Sequence, residues 1–204
     1  METLEELLNW RPKGISPDYS KVFDKIAKML FDAYRIKTDN DEFSFAEIEF
    51  YYYSSEFMHE DWNKITYPRK SEACTLFSHL SGTDICFNSH FDDEEACFGG
   101  ILIRSLIDKE GNIIAGPMRC HDELYNSCKN SIPILVQRMG EGVDTTVNYT
   151  QRLRYGIPKK AQEPMPGLRY FLNREDWTRK INTFDTSKAR QVTRKLYYGA
   201  IKHV

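Results

Sequence analysis

The chain has 204 residues, which is enough for one domain with a substantial hydrophobic core. Aromatic residues make up 13% of it, which excludes an intrinsically disordered protein, and no apolar run reaches membrane-spanning length. The first residues are acidic and lack the basic and apolar regions of a secretory signal, so we expect a cytoplasmic protein. The five cysteines are odd in number and form no CxxC pair, which predicts free thiols.

Two elements are predicted in the first quarter of the chain. Asp18–Lys37 is predicted to be an amphipathic helix, because apolar side chains recur there at helical spacing: Val22, Ile26, Met29, Leu30 and Tyr34. The aromatic-rich segment Phe43–Tyr53 is predicted to be a strand. Its period-2 alternation puts Glu47, Glu49 and Tyr51 on one face.

The rest of the chain alternates between strand and helix signals. A turn at Asp108–Asn112 predicts a hairpin over Ile101–Ile114, and Gly116-Pro117 predicts the start of a helix. Thr186-Ser187 is predicted to cap a final basic helix that runs through Lys202. Further strands are predicted at Thr83–Asn88, Gly100–Leu106, Val147–Ile157 and Leu168–Leu172. The pattern predicts an α+β fold, a single domain over residues 1–204 with a curved antiparallel sheet flanked by helices.

Charge is distributed unevenly along the chain. From Gln151 onwards there are thirteen Lys or Arg against four Asp or Glu, whereas the first 150 residues hold 15 against 26. A basic carboxyl-terminal part indicates either a surface that faces a polyanion or an ordinary solvated surface. The net charge of −2 by itself argues against a nucleic-acid-binding protein.

The face shared by Glu47, Glu49 and Tyr51 is the first candidate site. A carboxylate in a buried strand is costly unless it is paired or hydrogen-bonded, so a buried position would indicate a function. If the strand instead exposes this face to water at the edge of a sheet, the same polar residues cost nothing and indicate no function. The sequence leaves these two interpretations open.

Several motifs, in order, resemble those of the alkyladenine (3-methyladenine) DNA glycosylase family. The run Ala46–Tyr51 resembles the E-x-E-A-Y of that family, which ends a strand. Six further matches follow the family's order around it: Ala27–Leu30, Tyr67–Arg69, Ser81–Asn88, Gly100–Leu106, Arg154–Ile157 and Leu168–Phe171. Gly116-Pro117 also matches the start of a family helix. The resemblance covers roughly residues 20–175 and implies a fold like the carboxyl-terminal domain of formyltransferases.

The resemblance implies a role for several of these residues. Glu49 would be the catalytic carboxylate that activates water, and Arg104 would help to hold that water. Tyr51 and His59 would stack on the flipped base, although His59 lies one residue closer to Glu49 than the family spacing. Asn88 would line the base pocket.

At Ser81 the sequence departs from the family pattern. The family pushes a tyrosine into the duplex from this position, and a serine is too small to fill the space that a base leaves. The acidic run His90–Glu95 lies close to these motifs and opposes binding to phosphates. A DNA contact surface, if present, would instead involve the basic residues Arg152, Arg154, Lys159 and Lys160.

Three functions remain open from the sequence. The first is a monofunctional glycosylase that removes alkylated or deaminated purines from double-stranded DNA as a monomer, without cofactor or metal. The second is a non-catalytic nucleic-acid or nucleotide binding protein of the same fold. The third is a hydrolase of small N-glycosides that uses Glu47 and Glu49.

Overall fold

An antiparallel sheet organises the part of the chain that the structure describes. In this computed structural model, the described residues are 2–12, 19–55, 65–92, 96–128, 134–139, 149–152, 154, 157 and 168–172. They form three helices: α1 (Leu4–Leu8), α2 (Tyr19–Ala33) and α3 (Pro117–Asn126). They also form ten strands: β1 (Tyr34–Lys37), β2 (Glu42–Ser54), β3 (Leu76–His79), β4 (Gly82–Cys86), β5 (His90–Phe91), β6 (Ala96–Ile107), β7 (Ile113–Ala115), β8 (Leu135–Arg138), β9 (Tyr149–Arg152) and β10 (Arg169–Leu172).

Two long strands, β2 and β6, form the centre of the sheet and pair along most of their length. The other edge of β2 pairs first with β1 and then with β10, and these continue to β8 and β9. The other edge of β6 pairs with β7, β4 and β5, and β3 follows β4. The result is an α+β fold with a curled, half-barrel antiparallel sheet and few helices, which confirms the predicted α+β class and curved antiparallel sheet.

Helix α2 covers the apolar face of the sheet. Its buried side chains follow the helical period, and the ring of Phe23 stacks on that of Phe50 with centroids 4.5 Å apart. The short helix α1 adds Leu4 and Leu8 to the same core. It begins with a capping box, in which the Thr3 side chain and the Glu6 side chain each accept a backbone N–H.

Facing bulges interrupt β2 and β6 at the same level of the sheet. Glu47 pairs with Ser105 and Ile48 pairs with Ile103, so the register shifts at Ala46 on β2 and at Arg104 on β6, which are the additional residues of the two bulges. A bulge switches the side chains that face the core from odd to even positions of the strand. On β2 the buried core side chains are accordingly Phe43 and Phe45 before the bulge, and Ile48, Phe50 and Tyr52 after it.

Most predicted elements are present, with two clear differences. The helix predicted for Asp18–Lys37 was wrong at its carboxyl end, because Tyr34–Lys37 forms β1 and pairs with both β2 and β8. Pairing on both edges outweighs the helical spacing of Tyr34. The second difference is that the sequence interpretation missed α1 and the short strands β3, β5 and β8. The predicted final helix, Thr186–Lys202, lies outside the described residues, all of which belong to one compact unit, Met1–Leu172.

The hairpin prediction was confirmed: β6 and β7 pair around a turn in which Gly111 has a φ of 85°. The helix predicted at Gly116-Pro117 was also confirmed, with Pro117 at its first turn. All five cysteines are free thiols, as the sequence predicted. Among the described helices, none combines the length and apolar character that crossing a membrane requires.

Candidate functional site

The face of the sheet opposite α2 carries three of the predicted site residues, Glu49, Tyr51 and Arg104. On β2, Glu49 pairs with Leu102 of β6 on one side and with Arg169 of β10 on the other. Leu102 in turn pairs with Asp84 of β4. Because directly paired residues project to the same face, this register sets Asp84, Leu102, Glu49 and Arg169 in one row across four strands.

Glu49 is completely buried, with 0% of its surface exposed. Its Oε2 accepts a hydrogen bond from the Tyr51 hydroxyl at 2.8 Å and another from Arg104 Nη1 at 3.2 Å. Its Oε1 lies 3.8 Å from Arg169 Nε. A phenol and two guanidinium groups thus replace water around the anion, which is what a buried carboxylate requires.

Glu47, two residues earlier, is held by three donors. Arg104 Nε donates to its Oε1 at 3.1 Å, and Arg169 Nε donates to the same oxygen. The Ser105 hydroxyl donates to Oε2 at 3.0 Å. Glu47 is 4% exposed, so these donors take the place of solvent.

The paired bulges explain how one arginine reaches both carboxylates. Arg104 lies opposite the gap between Glu47 and Ile48 rather than directly across from a single residue. Its backbone carbonyl accepts a hydrogen bond from Gly116 at 2.8 Å. From this position Nε meets Glu47 while Nη1 meets Glu49.

Burial and charge shift the ionisation of the groups around Glu49. Burial, the negative charge of Glu49 and the hydrogen bond to it raise the pKa of Tyr51 well above its usual value, so the phenol stays a proton donor. Burial lowers the pKa of Arg104, but Glu49 and Glu47 more than reverse this effect, and the net shift is upward. Burial lowers the pKa of Arg154, and its electrostatic interactions with Tyr51 and with the carboxylate of Glu49 partly oppose this shift.

A second buried ion pair lies on the same face, between Arg69 and Asp84. Arg69 Nη1 donates to Asp84 Oδ2 at 2.6 Å, and His79 Nε2 lies 3.0 Å from Oδ1. A Cβ atom at Gly100 would lie 2.7 Å from both Arg69 Nη1 and Asp84 Oδ2. Because Gly100 has no side chain, the space above it is open, and this ion pair fills it.

Three of the predicted site residues, Glu49, Arg104 and Tyr51, are in direct contact. Ser81 is exposed in the turn between β3 and β4, where its N–H donates to His79 Nδ1. Asn88 is half-buried beyond the end of β4, and its N–H donates to Leu8. No hydrogen bond or ion pair observed among the described residues joins Ser81 or Asn88 to the Glu49 cluster.

The predicted basic surface is described only in part. His59, Lys159 and Lys160 lie outside the described residues, and of Arg152 only its place in β9, paired with Arg169, is described. Arg154 is 2% exposed. Its guanidinium lies 5.0 Å from the centre of the Tyr51 ring, and Nη1 donates to the Phe50 carbonyl, so Arg154 belongs to the buried cluster.

Arg169 is a member of this cluster that the sequence interpretation did not select as a site residue. It lay within a matched motif, Leu168–Phe171, but nothing in one sequence indicates that β10 pairs with β2 beside Glu49. Within the described residues, no group of three or more His, Cys, Asp or Glu side chains is placed to hold a metal ion. The chemistry available here is that of buried carboxylates, guanidinium groups and a phenol.

Comparison of the chain with protein-family models, with curated proteins and with solved structures found no match.

Proposed function

We propose that this protein hydrolyses N-glycosidic bonds, with Glu49 as the general base, and that its substrate is double-stranded DNA with an alkylated or deaminated purine. The observation that carries the proposal is the buried contact of Glu49 with Tyr51 and Arg104. These are three of the four residues for which the resemblance to alkyladenine DNA glycosylases implies a catalytic or base-stacking role; the fourth, His59, lies outside the described residues. As part of the same proposal, we infer that the fold is of the type found in the carboxyl-terminal domain of formyltransferases.

The chemistry requires a carboxylate in a protected position. A base inside a duplex is unreachable, so the damaged nucleotide must first leave the stack. Water then attacks C1′ of the sugar as the bond to the base breaks and positive charge develops on the sugar. Glu49 would accept the proton of this water and would stabilise the cationic sugar. Tyr51 and Arg104, through their hydrogen bonds to Oε2, fix the orientation of the carboxylate.

A hydrolase of small N-glycosides is the second candidate function. Two observations favour it: Arg154 is buried rather than on a surface, and the first 150 residues are strongly acidic. Both features oppose a long phosphate backbone but not a small uncharged nucleoside.

The decisive experiment is single-turnover excision on duplexes that carry hypoxanthine, ethenoadenine or a methylated purine. We expect excision by the wild-type protein and a rate lower by about 10²–10⁴-fold in Glu49→Gln, because a positioned general base contributes about this factor. Glu42→Gln is the matched control: it is the same substitution on the same strand, at a side chain 44% exposed and paired with Lys37. Its rate should equal that of the wild type.

Two outcomes would overturn the proposal in different ways. If the wild-type protein releases no base from duplexes but hydrolyses free nucleosides, and Glu49→Gln does not, the second candidate replaces the first. If neither DNA nor nucleosides are hydrolysed, the chain is not an N-glycosidic hydrolase. Measurable binding to DNA would then favour a non-catalytic nucleic-acid binding protein.

A further inference from the structure

Both arginines that lie beside Glu49 donate hydrogen bonds to the same residue, Glu47. Its Oε1 accepts hydrogen bonds from Arg104 Nε and Arg169 Nε, and its Oε2 accepts one from Ser105. Each arginine then extends to a different oxygen of Glu49: Arg104 Nη1 lies 3.2 Å from Oε2, and Arg169 Nε lies 3.8 Å from Oε1. The two carboxylates and the two guanidinium groups therefore form one cluster of four side chains in mutual contact.

Glu47 is the carboxylate to which both arginines donate hydrogen bonds. Glu47 has both oxygens engaged by three donors and is 4% exposed, so the hydrogen bonds hold both guanidinium groups in place away from solvent.

We propose that Glu47 and Arg169 form a positioning pair, which fixes the guanidinium groups of Arg104 and Arg169 against the two oxygens of Glu49. This inference rests on the proposed function. A general base accelerates a reaction only when it is held in the productive geometry, and a displacement of about 1 Å lowers the rate about 10²-fold. Glu47 and Arg169 act on the reaction through Glu49 and do not touch the substrate.

The test compares two substitutions of Arg169. Arg169→Gln removes the charge, and we expect the single-turnover rate at saturating protein to fall about 10–100-fold, with DNA affinity changed less than about threefold. Arg169→Lys places an ammonium group where it reaches the carboxylates, and we expect it to restore most of the rate. Arg119→Gln, at an exposed position of α3, is the control and should leave the rate unchanged.

A second readout does not depend on activity. The side-chain Nε–H of Arg104 donates to Glu47, and it should give a proton–nitrogen NMR signal that exchanges slowly with water. Glu47→Gln should speed that exchange at least tenfold, whereas Arg119→Gln should not change it. Glu47→Gln keeps the shape of the side chain and removes its charge.

The outcomes separate this inference from the proposed function. If wild-type protein excises bases but Arg169→Gln slows excision no more than Arg119→Gln does, the positioning role is wrong and the proposed function stands. An unchanged Arg104 signal in Glu47→Gln also overturns it. If the wild type hydrolyses no N-glycoside, the proposed function fails and the catalytic part of this inference fails with it, while the NMR experiment still decides whether Glu47 holds Arg104.

Discussion

Neutralising Glu47 should strongly destabilise the folded protein. In Glu47→Gln, the guanidinium groups of Arg104 and Arg169 lose a charged acceptor that is 4% exposed. Removing one partner of a buried ion pair costs about 3–5 kcal/mol, because the remaining charge is left without compensation. Glutamine keeps one oxygen as an acceptor, and Glu49 still lies near both arginines. We therefore expect the lower end of that range, about 3 kcal/mol.

Urea unfolding, followed by both tryptophan fluorescence and far-ultraviolet circular dichroism, measures this loss, provided that the two transitions coincide. Glu42→Gln is again the matched control. The ion pair of Glu42 with Lys37 joins side chains 44% and 46% exposed, so its loss should change the free energy of unfolding by less than about 1 kcal/mol.

A double-mutant cycle shows whether the effect arises from the ion pair itself. Glu47→Gln combined with Arg169→Gln should be less destabilising than the sum of the two single variants, by at least about 1 kcal/mol, because the residues are in direct contact. The reasoning would be refuted if Glu47→Gln destabilised the protein no more than Glu42→Gln. Additive losses within about 0.5 kcal/mol would equally show that the two residues are not coupled.

Two further predictions follow from buried groups near the site. The free energy of unfolding should fall above about pH 10, because Tyr51 has a raised pKa and stays protonated in the folded protein while the unfolded chain loses that proton. Urea titrations from pH 9 to pH 11 give the loss in the free energy of unfolding per pH unit. Above pH 10 this loss should be smaller in Tyr51→Phe than in the wild type by about 1.4 kcal/mol per pH unit. Gly100→Ala should destabilise the protein by about 1–3 kcal/mol, because the new methyl group overlaps the ion pair of Arg69 with Asp84.

Each of these predictions has an outcome that contradicts it. If the free energy of unfolding falls equally with pH in Tyr51→Phe and in the wild type, the fold does not keep the phenol of Tyr51 protonated above pH 10. For Gly100→Ala, an unchanged free energy of unfolding would mean that the space above β6 is not filled by the Arg69–Asp84 pair. Urea unfolding at pH 7 is sufficient for this second test.

The sequence predicted long elements well where local signals were strong. The apolar period of α2, the aromatic alternation of β2 and the turn at Asp108–Asn112 each lie within a short stretch of chain. Helix α1 also had a local signal, the Thr3 and Glu6 of its capping box, which the sequence interpretation did not use.

Long-range pairing was the part that a single sequence could not provide. Tyr34 fits the helical period of α2, but it lies in β1 because that strand gains partners on both edges. The same limit applies to the site. Glu49 and Tyr51 were adjacent on one predicted strand face, whereas Arg169 joins them only through the pairing of β10 with β2.

The facing bulges at Ala46 and Arg104 bear on how this sequence could be aligned with relatives. Each strand carries one additional residue at the same level, so the pairing of Ser44 with Ile107 and that of Ser54 with Cys97 obey the same register. In a relative lacking only one of these residues, the two ends of the central strand pair, β2 and β6, would differ in register by one position. Gaps at the two positions should therefore occur together, and an alignment that opens only one of them should be realigned before residues of the site are compared.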